Sequence, residues 1–135
     1  RLYKDAWVVT PTGYSNYVAN GDDYLFINTI ERDKHPKIKF KLEEESDKFR
    51  VIRFEGYIPF DYDSWSYKGH IELTGYSGYL RKWLSLGKND GLPATFIIPP
   101  GYTDFELIIR DSLGGDWFII LNKSVKWLIA EGGWL

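Results

Sequence analysis

The sequence predicts an all-β domain, an antiparallel β-sandwich of jelly-roll type, with a small closed β-barrel as the alternative. Three observations favour this fold class. Apolar and polar residues alternate in short runs, which is the period of a half-buried strand. Phe, Tyr and Trp make up 18% of the residues, and aromatic side chains fit the pleated surface of a sheet. Turn-forming residues divide the chain into strand-sized pieces without leaving a ten-residue segment of helical period.

The clearest strand is the segment 37–42. Ile38, Phe40 and Leu42 share one face and three lysines share the other, which predicts an antiparallel strand with one solvated side. Gly75 is interpreted as a turn that separates two further strands. The remaining strands are predicted at 6–9, 24–29, 49–60, 67–73, 79–86, 94–98, 104–110, 116–121 and 124–129. Ten short strands in one domain are typical of a sandwich or barrel.

Two local features are predicted from phase and turn chemistry. Apolar residues change phase between Val51 and Ile52, which indicates a β-bulge near Val51. At the other end of the chain, Asn122 and Lys123 could form the two-residue turn of a hairpin. This hairpin would pair Ile120 with Val125 and Phe118 with Trp127, and it would lie centrally in a sheet because both of its faces are apolar.

Length and composition limit the possible functions. The 135 residues match one domain, so residues 1–135 are treated as a single unit. The formal charge of −2 provides no broad positive field, which argues against nucleic acid as a partner. No apolar run is long enough to span a membrane, so no membrane association is expected. Without cysteine the chain has no disulfide. Its start at Arg1 suggests a processed product or an excised piece, and a secreted or extracellular location is slightly favoured.

No catalytic motif is visible. His35 and His70 lie in unrelated settings, and neither is followed by residues that would make it a catalytic base or a zinc ligand. Glu55, Glu72 and Glu106 alternate with apolar neighbours, as solvent-facing strand residues do. The chain is therefore expected not to be an enzyme and to need no cofactor. A weak alternative is calcium, which Asp22 with Asp23, or Asp61 with Asp63, could bind through carboxylate oxygens.

The most unusual segment is 57–67, which combines five aromatic residues with two carboxylates. Aromatic residues on a loop cannot all reach the core, and an exposed ring offers a flat apolar surface to a sugar. Trp65, Tyr62 and Tyr67 are the predicted platform, and Asp61 and Asp63 are the predicted acceptors of sugar hydroxyls. Core capping is the competing interpretation of the same residues.

Two smaller clusters have a related composition. The first includes Tyr14 and Tyr17 and has the Tyr, Ser, Asn and Asp content of adaptable recognition surfaces. The second runs from Tyr76 through Tyr79 and Arg81 to Trp83, and we interpret it as a hairpin turn rather than a site.

These observations favour a non-catalytic binding module, with polysaccharide as the expected ligand. The alternative is a protein-binding domain, such as an inhibitor, an immunity protein or an assembly subunit, in which the same aromatic residues form the core of an interface. A small hydrolase is the third hypothesis, and it would need two carboxylates, or a histidine and an acid, in one cleft.

Overall fold

The computed structural model describes residues 2–9, 11–14, 18–28, 35–41, 49–57, 69–111, 118–123 and 125–131. Residues 2–9, 69, 111, 118 and 126–131 are described by their backbone alone. The described part of the chain contains no helix, and hence none long enough to cross a membrane. Its thirteen strands are β1 Leu2–Val9, β2 Gly13–Tyr14, β3 Val18–Asn20, β4 Tyr24–Asn28, β5 Lys37–Lys41, β6 Arg50–Phe54, β7 Gly56–Tyr57, β8 Gly69–Ser77, β9 Lys82–Asn89, β10 Ala94–Ile98, β11 Tyr102–Asp111, β12 Phe118–Asn122 and β13 Val125–Glu131.

The strands form three antiparallel sheets, which build a β-sandwich. Sheet I has the strand order β2-β5-β11-β8-β9, sheet II has β1-β13-β6-β10 and sheet III has β3-β4-β12-β7. Sheets II and III are joined where β6 runs into β7 and where β12 runs into β13, so together they supply the layer that faces sheet I. Each sheet ends in edge strands within the described residues, so the alternative of a closed barrel is wrong.

One apolar cluster lies between the layers and includes residues from all three sheets. The rings of Phe40 in sheet I and Phe54 in sheet II have centroids 5.3 Å apart, and Phe54 also meets Phe96 edge-on at 5.9 Å. Strand alternation explains this packing, because every second residue of β5 is buried while Lys37, Lys39 and Lys41 stay exposed. The cluster comprises Leu25, Ile27, Ile38, Phe40, Ile52, Phe54, Ile71, Leu73, Ala94, Phe96, Ile98, Tyr102, Phe105, Leu107, Ile109, Ile119, Leu121 and Val125.

All ten predicted strands overlap strands of the structure, but the predicted turn at Gly75 is wrong. Gly75 lies inside β8, opposite Leu84, and the turn follows at residues 78–81. A Cβ at position 75 would lie 2.7 Å from Leu86 and 2.8 Å from Tyr102. Glycine is therefore required here because two large side chains pack against its backbone.

The predicted bulge near Val51 is also wrong. Residues of β6 pair one for one with β10 and with β13, without a shift of register. Arg50, Ile52 and Phe54 point inward, Val51 points to the opposite face, and Phe49 is exposed. The phase change in the sequence arises because a buried arginine occupies an inward position, where apolar alternation would place a hydrophobic residue.

The predicted C-terminal hairpin does not form. Strand β12 pairs with β4 and β7 in sheet III, whereas β13 pairs with β1 and β6 in sheet II. The backbone N–H groups of Asn122 and Lys123 donate to the carbonyls of Glu55 and Asp23, at 2.8 and 2.9 Å. Both strands are central, as their apolar faces predict. Each of the two strands pairs with two neighbours in its own sheet, so the chain passes from sheet III to sheet II between them.

Candidate functional site

The whole of the predicted platform lies outside the described residues. This applies to Trp65, Tyr62, Tyr67, Asp61 and Asp63, and Tyr17 of the second cluster is outside them as well. Their role stays a prediction.

Tyr14 is the one predicted site residue that the structure describes. It is exposed on β2, at the edge of sheet I, and its hydroxyl lies 3.5 Å from Oδ1 of Asn20 on β3. Its ligand role also stays a prediction. Asp22 and Asp23 are exposed in the β3–β4 turn, and no group of three or more His, Asp or Glu residues in the described part of the chain could hold a metal ion.

The outer face of sheet I brings aromatic and charged side chains together. Because the inward positions of β5, β8 and β11 belong to the core, the alternate residues of these strands project to the opposite side. Cross-strand pairing arranges them in three rows that run across the sheet. From β5 to β9 the rows are Lys41, Asp104, Tyr76 and Trp83; Lys39, Glu106, Thr74 and Ser85; and Lys37, Ile108, Glu72 and Lys88.

Tyr76 and Trp83 form the aromatic end of the first row. They are directly opposite each other on β8 and β9, with ring centroids 5.6 Å apart and ring planes at 62°. Trp83 keeps 48% of its surface exposed, whereas Tyr76 is half-buried. An edge-to-face contact of this kind is favourable and restricts the indole orientation. The indole of Trp83 therefore offers solvent a flat apolar surface whose tilt is restricted by the tyrosine ring beside it.

The hairpin that carries this pair is well defined. The N–H of Arg81 donates to the carbonyl of Ser77 at 2.7 Å, and the N–H of Leu80 donates to Oγ of the same serine at 3.1 Å. Arg81 closes the turn with a φ of 56°, a left-handed conformation that few non-glycine residues adopt. These contacts fix the register in which Tyr76 meets Trp83.

Charges on this face alternate in sign. Nε and Nη2 of Arg110 both lie 3.1 Å from the same Oε1 of Glu72, across the β8–β11 ladder. Lys39 stands opposite Glu106, and the next row pairs Lys41 with Asp104. Opposite charges in facing positions limit the net field of the face. They leave carboxylate acceptors and ammonium donors beside the aromatic pair, which suits a ligand rich in hydroxyl groups.

The sequence contains a signal for this face in the cluster 76–83. The cluster 76–83 was predicted to form a hairpin turn, and that turn is confirmed at residues 78–81. What was missed is that Tyr76 and Trp83 flank the turn at equal distances, so that they must face each other on one side of the sheet.

Known proteins resemble this chain in structure only. No protein-family model matches it, and no curated protein does. A variant of a family 29 carbohydrate-binding module in complex with cellulohexaose is 13% identical, with a TM-score of 0.54 over 90% of this chain and 91% of that one. A second variant, in complex with mannohexaose, is 10% identical, with a TM-score of 0.53 over 92% and 93%. Xylanase 10C from Cellvibrio japonicus in complex with xylopentaose is 12% identical, with a TM-score of 0.55 over 96% of this chain and 28% of that one. At these identities the likeness establishes the β-sandwich fold.

Proposed function

We propose that this domain binds a polysaccharide chain on the outer face of sheet I and catalyses no reaction on it. The observation that carries the proposal is the Tyr76–Trp83 pair, with its exposed indole, at the end of a row that begins with Lys41 and Asp104. A pyranose ring has an apolar face and a rim of hydroxyls. The indole would stack on that apolar face, and Asp104, Glu106 and Lys39 would exchange hydrogen bonds with the hydroxyls.

The structural neighbours support the same class of ligand. Two of them are named as family 29 carbohydrate-binding modules, in complex with cellulohexaose and mannohexaose, and the third is a xylanase in complex with xylopentaose. An extracellular location, where polysaccharides are encountered, would fit this function.

The experiment is calorimetric titration of the domain with cellohexaose, mannohexaose and xylopentaose, comparing Trp83→Ala with Ile97→Ala. Ile97 is the matched control, because it is an exposed apolar residue on β10 of sheet II. Trp83→Ala should lower affinity on the order of tenfold, which corresponds to about 1.4 kcal/mol. Ile97→Ala should leave affinity unchanged. Equal affinities for both variants would contradict the proposed site.

A protein ligand is the competing class. If no oligosaccharide binds the intact domain and Trp83→Ala instead prevents the capture of a protein partner, the interaction-domain hypothesis replaces the carbohydrate one.

A further inference from the structure

The outer face of sheet III carries a second row of apolar side chains. Ala19 on β3 faces Phe26 on β4, Phe26 faces Ile120 on β12, and Ile120 faces Tyr57 on β7. Residues opposite one another in a ladder project to the same side. Phe26 is 42% exposed and Tyr57 is 52% exposed, with the half-buried Ile120 between them. The four strands thus present one continuous apolar row to solvent.

These side chains are not needed for the core. The inward positions of the same strands are filled by Leu25, Ile27 and Leu121, all of which are fully buried. Tyr57 begins the aromatic segment 57–67, so the sequence feature that first suggested a platform starts on this face. Packing of the core therefore does not explain why this row is apolar, whereas binding of a ligand or partner would.

The face differs from that of sheet I in its chemistry, because the described charged side chains that border it already bond within the domain. Glu55, opposite Asn122, pairs with Arg53 at 3.2 Å, and Nζ of Lys123 donates to the carbonyl of Gly21. On β4 and β12 the other described side chains on the side of Phe26 are Tyr24, Asn28 and Asn122. Oδ1 of Asn28 is buried, so the phenol of Tyr24 and the amide of Asn122 are the polar groups nearest the surface. A carboxylate or phosphate ligand would meet no cation among them. Amide and hydroxyl groups beside aromatic rings instead complement an uncharged ligand with many hydroxyls.

Phe26 is held in place before any ligand binds. A Cβ at position 21 would lie 2.8 Å from its ring, so the ring rests against the bare backbone of Gly21. The turn beneath it is fixed, because the N–H of Gly21 donates to the carbonyl of Tyr24 at 2.9 Å and Nζ of Lys123 donates to the carbonyl of Gly21 at 3.1 Å. Ordering a ring in advance lowers the entropic cost of binding.

We infer that this row is a second binding face, for a neutral polysaccharide chain that crosses the strands of sheet III. Adjacent strands lie about 4.7–4.9 Å apart, so Phe26 and Tyr57, two strands apart, are separated by about 10 Å. This is roughly the span of a disaccharide, which allows alternate sugar rings of an extended chain to stack on the two aromatics. The inference rests on the proposed function for the class of ligand, but on different residues in the opposite layer. The domain would then hold two chains at once.

The experiment measures stoichiometry and affinity with cellohexaose and mannohexaose. The unmodified domain should bind two oligosaccharides, and Tyr57→Ala or Phe26→Ala should reduce this number to one. Trp83→Ala should also leave one, and Trp83→Ala combined with Tyr57→Ala should leave none. Tyr57→Phe should retain two, since the stacking ring remains. Melting temperatures identify any variant that fails to fold. If Phe26→Ala fails to fold, Tyr57→Ala alone tests the second face.

The outcomes separate the two proposals. One bound oligosaccharide, lost with Trp83→Ala and unaffected by Phe26→Ala and Tyr57→Ala, would overturn the second face and leave the proposed function intact. One bound oligosaccharide lost only with Phe26→Ala and Tyr57→Ala would support the face on sheet III and overturn the site on sheet I. Absence of binding to either probe would overturn both.

Discussion

Nη2 of Arg50 on β6 lies 2.5 Å from the backbone carbonyl of Tyr102 on β11 and donates to it across the two layers of the sandwich. Arg50 is only 1% exposed and is among the largest fully buried side chains. A charged hydrogen bond in a low-dielectric interior is strong, and its loss leaves a buried acceptor unsatisfied. The contact therefore ties sheet I to sheet II at a point where aliphatic packing alone would be expected.

Arg50→Ala should lower the free energy of unfolding by about 3 kcal/mol or more, since it removes both the hydrogen bond and the packed side chain. Arg53→Ala is the matched control on the same strand. Arg53 is exposed and pairs with Glu55 at 3.2 Å, so its loss should cost less than about 1 kcal/mol. Urea unfolding measures both variants. Equal losses would contradict the structural role assigned to Arg50.

The β6 strand also contains a feature that the sequence could not predict, the burial of an arginine. On β5, Ile38 and Phe40 alternate with lysines, and the structure follows this pattern without exception. On β6 the inward position is an arginine, and hydrophobic alternation cannot identify a buried residue whose hydrogen-bond partner is 52 positions away. The predicted fold class is nevertheless correct, because it depends on the pattern of ten strands and not on one position.

The site was harder to predict than the fold because it depends on register. Tyr76 faces Trp83 only because the β8–β9 turn occupies residues 78–81. Farther along the same ladder the register shifts, so that Leu73 faces Gly87 while Thr74 faces Ser85. At this shift Gly87 on β9 has a φ of 142°, a backbone conformation that favours glycine and that alternation of apolar residues does not reveal.

Gly75→Ala should destabilise the domain by about 1–3 kcal/mol, as overpacking of a core does. The added methyl would lie within 3 Å of both Leu86 and Tyr102. Gly78→Ala is the control, since a Cβ there meets nothing within 4 Å. Thermal unfolding should therefore show a lower Tm for the first variant and little change for the second. An unchanged Tm for Gly75→Ala would mean that Tyr102 can move aside freely.

Glu72→Gln should weaken oligosaccharide binding several-fold while changing stability by less than about 1 kcal/mol. The ion pair with Arg110 is partly exposed, and pairs of this kind contribute little to folding. On the outer face Glu72 holds the guanidinium of Arg110 in one orientation, and we expect a chain that lies across the rows of sheet I to reach that guanidinium. Calorimetric titration with cellohexaose, together with urea unfolding, measures the two effects. A loss of stability without a loss of affinity would assign Glu72 a purely structural role.

Tyr76 and Trp83 should be energetically coupled in binding. The tyrosine ring meets the indole at 62° and restricts its motion, so Tyr76→Ala should weaken binding even if the ligand contacts Trp83 alone. An aromatic pair of this kind contributes about 0.5–1.5 kcal/mol, which corresponds to an affinity change of roughly two- to tenfold. Tyr76→Phe should bind as the unmodified domain does, because the ring contact is kept. In a double-mutant cycle, Tyr76→Ala should have little further effect once Trp83 is alanine, since the ring that it positions is gone. Strictly additive losses would mean that Tyr76 contacts the ligand by itself, and the positioning role would be wrong.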